Sequence, residues 1–248
     1  MIGVRNKETM RPARNTSIEL VGLPGTGKTT LAQSIKDRMA NSSQPVLLTK
    51  KRYIRSWPYY RLIRNPAQLL NLLIIRVAVF IAAGGSLQYR ARRAQKIAHG
   101  LTDVLLVGYQ SDLVIFHEGP INWLCSTRWK AGQVPFTVIA LTTRCYVAAS
   151  GIVIHLVCDE REWLRRVVKR TCRRLSYQHL EAQQPLISTR SLVMEHQKAA
   201  QTWSKNFEAL RGALEGLDSR YKQLDVSRVD RLFDYTNDVA KLAVGSIN

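Results

Sequence analysis

A glycine-spaced loop between a short apolar run and a helical repeat constrains this chain more than any other stretch. Residues Ile18 to Val21 enter Gly22-Leu23-Pro24-Gly25-Thr26-Gly27-Lys28-Thr29-Thr30, and Leu31, Ile35 and Met39 then recur at helical spacing. The order reads as strand, phosphate-binding loop and helix. Gly22, Gly25 and Gly27 let the backbone aim successive N–H groups inward, making an anion nest at the positive end of a helix. Lys28 brings a point charge to the β- and γ-phosphates, and the Thr29 hydroxyl is a ligand for Mg²⁺. ATP with Mg²⁺ is therefore the expected cofactor, held by residues Gly22, Leu23, Pro24, Gly25, Thr26, Gly27, Lys28, Thr29 and Thr30. The sequence has no Asn-Lys-x-Asp tetrapeptide, so a GTPase is not supported.

A chain of 248 residues, 46% hydrophobic, can bury a sizeable core, and its length fits one α/β domain over 1–248 with an insertion. Cys125, Cys145, Cys158 and Cys172 are spaced too widely for a CxxC-type zinc site and read as reduced and buried. Residues 1–16 lack a continuous apolar core and read as a loose leader rather than a signal peptide, so a cytoplasmic protein is expected. The net charge of +19 is unevenly spread: no carboxylate occurs between Asp37 and Asp103, where Lys50, Lys51, Arg52, Arg55, Arg61, Arg64, Arg76, Arg90, Arg92, Arg93 and Lys96 all fall. An acidic or phosphorylated substrate, nucleic acid and an anionic membrane surface all fit such a region, as does a solvated basic face.

In chain order, a helix is expected over 28–39 and a short strand at Val46-Leu47-Leu48. Residues 50–66 interleave basic side chains with Tyr53, Trp57, Tyr59 and Tyr60, a mixture that holds a base and a phosphate or simply packs the connection. Residues 67–83 are the most apolar stretch. Arg76 at their centre opposes a membrane span, so they read as a helix buried beside the nucleotide-binding core, with peripheral membrane attachment as the alternative. A helix over 86–107 follows, its apolar face marked by Leu87, Ala91, Ala94, Ile97, Ala98, Leu101 and Leu105 and its other face by Arg90, Arg93 and Lys96.

Asp112-Leu113-Val114-Ile115-Phe116 is a buried strand that delivers His117 and Glu118 to its C-terminal end, the edge where open α/β sheets bind ligands. Glu118, opposite the phosphate loop, is the candidate to hold Mg²⁺ through water or to accept a proton from an attacking hydroxyl. Helices over 120–130 and 136–149 precede a fourth strand at 151–157. In the helix that follows from Asp159, Arg166, Arg170 and Arg173 line one stripe, which suits a transferring phosphoryl group. Residues 176–187 read as a mobile polar segment, 188–217 as a helix, 221–226 as a fifth strand and 229–243 as a closing helix.

GLPGTGKTT at 22–30, IFHEG at 115–119 and IHLVCDEREWLRRVVKR at 154–170, in that order, resemble the nucleoside and nucleotide kinase group of P-loop proteins, the thymidylate and deoxynucleoside kinases among them. The resemblance implies a three-layer fold on a five-stranded parallel sheet, a helical substrate region over 50–110 and a lid over 161–187. It implies Glu118 as the carboxylate and Arg166 and Arg170 as lid arginines; with the loop's own chemistry the expected catalytic residues are Lys28, Glu118, Arg166 and Arg170, and the expected metal ligands Thr29 and Glu118. Many relatives have Asp where His117 stands and an acidic–Arg pair where this chain has Glu118-Gly119. The expected function is an ATP-dependent small-molecule kinase acting on a hydroxyl or phosphate acceptor, with a nucleoside- or nucleotide-like acceptor favoured and an anionic or nucleoside-like small molecule as the expected partner. A nucleic-acid-binding ATPase or polynucleotide kinase is the competing reading, and an ATP-binding regulator without an acceptor a third.

Overall fold

In the computed structural model the described residues are 17–39, 46–48, 65–107, 113–179, 189–217 and 220–227, with Asp234 and Thr236. The leader, the aromatic and basic stretch up to Arg64, Asp112, the end of the polar segment and the closing helix apart from those two residues lie outside them.

Strands β1 (Ser17–Val21), β2 (Val46–Leu48), β3 (Leu113–Phe116), β4 (Ile152–Val157) and β5 (Tyr221–Asp225) are joined by helices α1 (Lys28–Met39), α2 (Pro66–Ala82), α3 (Leu87–Val107), α4 (Pro120–Cys125), α5 (Phe136–Ala148), α6 (Glu160–His179) and α7 (Thr189–Glu215). The strands form one sheet in the order β2-β3-β1-β4-β5, and every pairing is parallel. Ile18 of β1 faces Ile115 on one neighbour and Ile152 on the other, so the loop after β1 opens at the middle of the sheet's C-terminal edge. The period-2 alternation of the strands builds two cores. Ile18, Leu20, Ile115, Ile154 and Leu156 pack on Leu31, Ile35 and Met39 of α1. Val21, Val114, Phe116 and Val153 pack into a larger cluster with α2, α3, α4, α5 and α7.

Five sequence expectations are corrected here. Helix α2 starts as its sequence dictates, with the Asn65 side chain accepting from the Gln68 N–H at 3.3 Å and Pro66 in the first turn, but only the stripe Leu72, Ile75 and Val79 is buried. The helix sits at the margin of its layer, packed on α3 and α5, and its opposite stripe faces outward. Leu87 and Ala91, expected in the apolar face of α3, are exposed because the hairpin tip projects past the core; the buried face begins at Ala94.

Helix α4 stops at Cys125 rather than Lys130 because Ser126 and Thr127 turn their hydroxyls back to the Trp123 carbonyl at 3.2 and 2.7 Å. The chain then runs beside the end of α2, with Gly84 N donating to Arg128 O and Lys130 N to Ala82 O. The polar segment expected from Ser176 begins as helix, since α6 continues to His179. Of the cysteines described in full, Cys125 and Cys145 are buried and free, whereas Cys158 is half-exposed.

Candidate active site

The loop after β1 is braced from two sides. From α6, the Trp163 indole N–H donates to Pro24 O at 2.7 Å. Gly25, at φ +93°, comes so close to that helix that a Cβ would meet Val167 Cγ2 at 2.7 Å. Within the loop, the Thr26 N–H and hydroxyl both donate to Leu23 O. Lys28 Nζ donates to Gly22 O at 2.6 Å and Leu23 O at 2.9 Å, leaving one of its three donors for the cleft. Burial pulls the Lys28 ammonium down to about 8, opposed by the nearby negative charge of Glu118.

The second brace comes from below. Asn122, in the first turn of α4, accepts from the Gly22 N–H at 3.2 Å through Oδ1 and donates to Leu20 O at 2.8 Å through Nδ2. Asn122 is itself held by Glu19, a carboxylate inside β1 that is 1% exposed. Glu19 accepts from the N–H groups of Ile121 and Asn122, from the Asn122 amide and from the Tyr146 hydroxyl. Space there is full, since a Cβ on Gly119 would fall 2.3 Å from the Glu19 carboxylate carbon.

Burial pushes Glu19 up to about 7, against hydrogen bonds from Tyr146, Asn122 and Ile121 that pull it down. The folded protein therefore binds a proton more tightly than the unfolded chain does between about pH 4.5 and 7. The sign follows: Glu19's contribution to stability is full below pH 4.5 and is lost as pH rises through 7, a fall of about 3 kcal/mol. Glu19→Gln, which stays neutral, is expected to flatten that part of the stability profile in urea melts run from pH 5 to 8. A variant whose profile parallels wild type across that range would show that Glu19 is not the group responsible.

These elements enclose a cleft of about 470 Å³ at the sheet's C-terminal edge. One wall is the loop, with Gly22, Pro24, Gly25, Gly27, Lys28, Thr29 and Thr30; His117 and Glu118 at the end of β3 and Arg166 and Arg170 of α6 join it. Arg93 and Lys96 of α3, Trp123, Ser126 and Trp203 complete the lining. Arg93 donates to Ser126 Oγ at 3.3 Å and lies over the Tyr89 ring, while Lys96 lies 4.5 Å from the centre of the Trp123 ring. Trp203 is stacked on Phe207, 5.1 Å between centres.

No protein-family model matches the sequence, and no curated protein does. Among solved structures, the crystal structure of APE1195 aligns with a TM-score of 0.46 at 15% identity over 95% of this chain and 98% of that one. The crystal structure of a gluconokinase from Sinorhizobium meliloti 1021 aligns with a TM-score of 0.41 at 11% identity over 94% of each. The chemistry of the cleft has to be read from its own side chains.

Of the residues singled out in the sequence, the cleft gathers most. Leu23 packs on the core and Thr26 is buried, so their side chains serve the loop's shape. Arg166 reaches the cleft but commits its guanidinium to Glu162 at 2.7 Å and to the carbonyls of Val226 and Ser227 at 3.1 and 3.2 Å, tying α6 to the end of β5. Arg170, one turn further along and exposed, lines the same cleft. The side chain of Arg173 lies outside the described residues. Sequence reasoning missed Glu19, Asn122, Trp163 and Trp203. A carboxylate between Ile18 and Leu20 in a buried strand was the available signal for Glu19, because a buried charge demands partners.

The donor set fits a magnesium–nucleotide complex. Thr29 and Glu118 present hard oxygen donors to one cleft, and among the described residues no cluster of His, Cys, Asp or Glu could hold a metal by side chains alone. A cation there would take its remaining ligands from phosphate and water, as Mg²⁺ usually does.

Proposed function

We propose that this protein is an ATP-dependent kinase of a small anionic molecule. The observation that carries the reading is one cleft lined by Lys28 and Thr29 of the phosphate loop, by Glu118 from β3 and by two further cations, Arg93 and Lys96, from α3. A triphosphate uses the loop's cation; Arg93 and Lys96, held beside Ser126, Tyr89 and Trp123, add positive charge that suits an anionic acceptor. MgATP supplies the transferable γ-phosphoryl group. The loop N–H groups and Lys28 hold its phosphates, Thr29 holds the cation, and Arg170 faces the charge that spreads over the equatorial oxygens during transfer. Glu118 would either hold the cation through water or take the proton of the acceptor hydroxyl, whose oxygen would displace ADP at the γ-phosphorus.

Arg93 and Lys96 favour an acceptor that carries a phosphate or carboxylate, and the half-buried Trp123 beside Lys96 adds an aromatic edge to the same cleft. A nucleoside monophosphate fits this description, as does a phosphorylated or acidic sugar. Calorimetric titration with ATP tests the first half: binding is expected with Mg²⁺ and is expected to weaken at least about tenfold in excess chelator. ATP consumption would then be followed against nucleosides, nucleotides, sugar phosphates and sugar acids, and turnover confined to neutral acceptors would contradict the assignment of Arg93 and Lys96.

A further inference from the structure

The outward stripe of α2 carries Leu69, Leu70, Leu73, Ile74, Val77 and Ile81, and they are exposed at 38, 56, 57, 39, 49 and 59%. Spread over more than three turns of one helix, they form a contiguous apolar face, and a face of that kind on a folded protein marks an interaction surface. Among the described residues, no helix is long and apolar enough to cross a membrane, so this one can only lie against its partner.

The surrounding charge decides what that partner is. Helices α2, α4 and α5 contain no carboxylate, and α3 contains one, Asp103. Arg76 stands exposed on the rim of the apolar stripe. Arg90 lies over Phe80 and donates to its carbonyl at 2.7 Å, which puts a guanidinium against the flank of α2. Exposed Arg128 and Lys130 run alongside the helix's C-terminal end through their backbone bonds to Gly84 and Ala82. An apolar stripe rimmed by cations on a chain of net charge +19 is complementary to a surface that is apolar beneath and anionic on top.

A second copy of this chain would bring the same cationic rim against this one, and like charges facing each other oppose such a contact. A nucleic acid would leave the six aliphatic side chains in water. We propose that α2 is a peripheral docking helix that lies in the interface of an anionic lipid bilayer, its aliphatic stripe among the upper acyl chains and its cations among the headgroups. The proposal does not depend on the kinase reading, since no α2 residue lines the cleft.

The test is co-sedimentation of the full-length protein with vesicles of phosphatidylcholine alone or mixed with phosphatidylglycerol, at low and high salt. Binding to the anionic vesicles is expected to exceed binding to neutral ones by about tenfold or more, with a fraction that survives high salt. Because a basic protein binds anionic lipid through charge alone, the deciding variant holds charge constant. Leu73→Gln/Val77→Gln is expected to keep the wild-type melting temperature and ATP affinity, because both side chains already face outward, and to lose about tenfold or more in vesicle affinity together with the salt-resistant fraction. Ile81→Gln, at the other end of the stripe, should lose affinity in the same direction.

Three results would overturn the proposal: no preference of the wild-type protein for anionic vesicles, unchanged affinity in both glutamine variants, or a stable dimer in sedimentation equilibrium that the double variant dissociates.

Discussion

Lys28→Ala is expected to lower phosphoryl transfer by about 10²- to 10³-fold and to weaken MgATP binding, while leaving the protein folded. Two opposing terms leave a folded-state cost of about 0–3 kcal/mol, short of unfolding the domain. The substitution removes hydrogen bonds from Nζ to Gly22 O and Leu23 O, each worth about 1.5–3 kcal/mol when the donor is charged. It also removes an ammonium that burial disfavours enough to pull its pKa from 10.5 to about 8, a cost of about 3 kcal/mol for keeping it charged. The loop keeps its other supports, from Trp163 to Pro24 and from Asn122 to Gly22. Melting temperature, near-ultraviolet circular dichroism, ATP titration and turnover would be measured on the same preparation. A folded Lys28→Ala protein with wild-type turnover would refute the assignment of the loop to triphosphate binding.

That contrast between a ligand-directed charge and a structural loop also explains which parts of the molecule could be read in advance. Strand, loop and helix at 17–39 were legible because three independent signals agree there: an apolar run, glycines at turn positions and a helical repeat beginning at Leu31. The end of β3 was legible for the same reason, since a four-residue apolar run fixes where Glu118 emerges. Side-chain direction within a helix was less so. Arg166 and Arg170 sit on one stripe by spacing, yet the first is consumed by Glu162 and two carbonyls of a segment 60 residues away, and nothing in local sequence records such a partner.

Packing partners that come from elsewhere in the chain hid the rest. Whether α2 is buried on all sides or on one depends on how many neighbours surround it, and its composition is the same in either case. Helix α4 looked longer because Trp129 continues the apolar pattern, but that ring is buried through a sharp turn, its indole N–H donating to Leu124 O at 3.2 Å. Asn122 carries no signal of its own in the sequence. Its importance follows only from the parallel pairing that sets β1 beside β3 and brings Glu19 under α4.

Glu118→Gln is expected to separate binding from chemistry. The side chain is exposed at the end of β3 and lines the cleft opposite Lys28 and Thr29, so the neutral amide keeps the shape and removes only the charge. ATP held by the loop N–H groups and Lys28 should bind with little loss, whereas kcat should fall by about 10²-fold or more if the carboxylate takes the hydroxyl proton or holds the cation. A second signature accompanies the first. The negative charge of Glu118 raises the pKa of Lys28 against the effect of burial, so its removal should let that pKa fall below about 8, shifting the alkaline loss of ATP affinity to lower pH. A carboxylate that served only the fold would give neither the drop in kcat nor the shifted profile. Wild-type turnover in Glu118→Gln would move the search for the catalytic carboxylate elsewhere. Asp159 would then be a poor substitute, because its side chain already accepts from the N–H groups of Arg161 and Glu162 at 2.9 and 3.2 Å as the cap of α6.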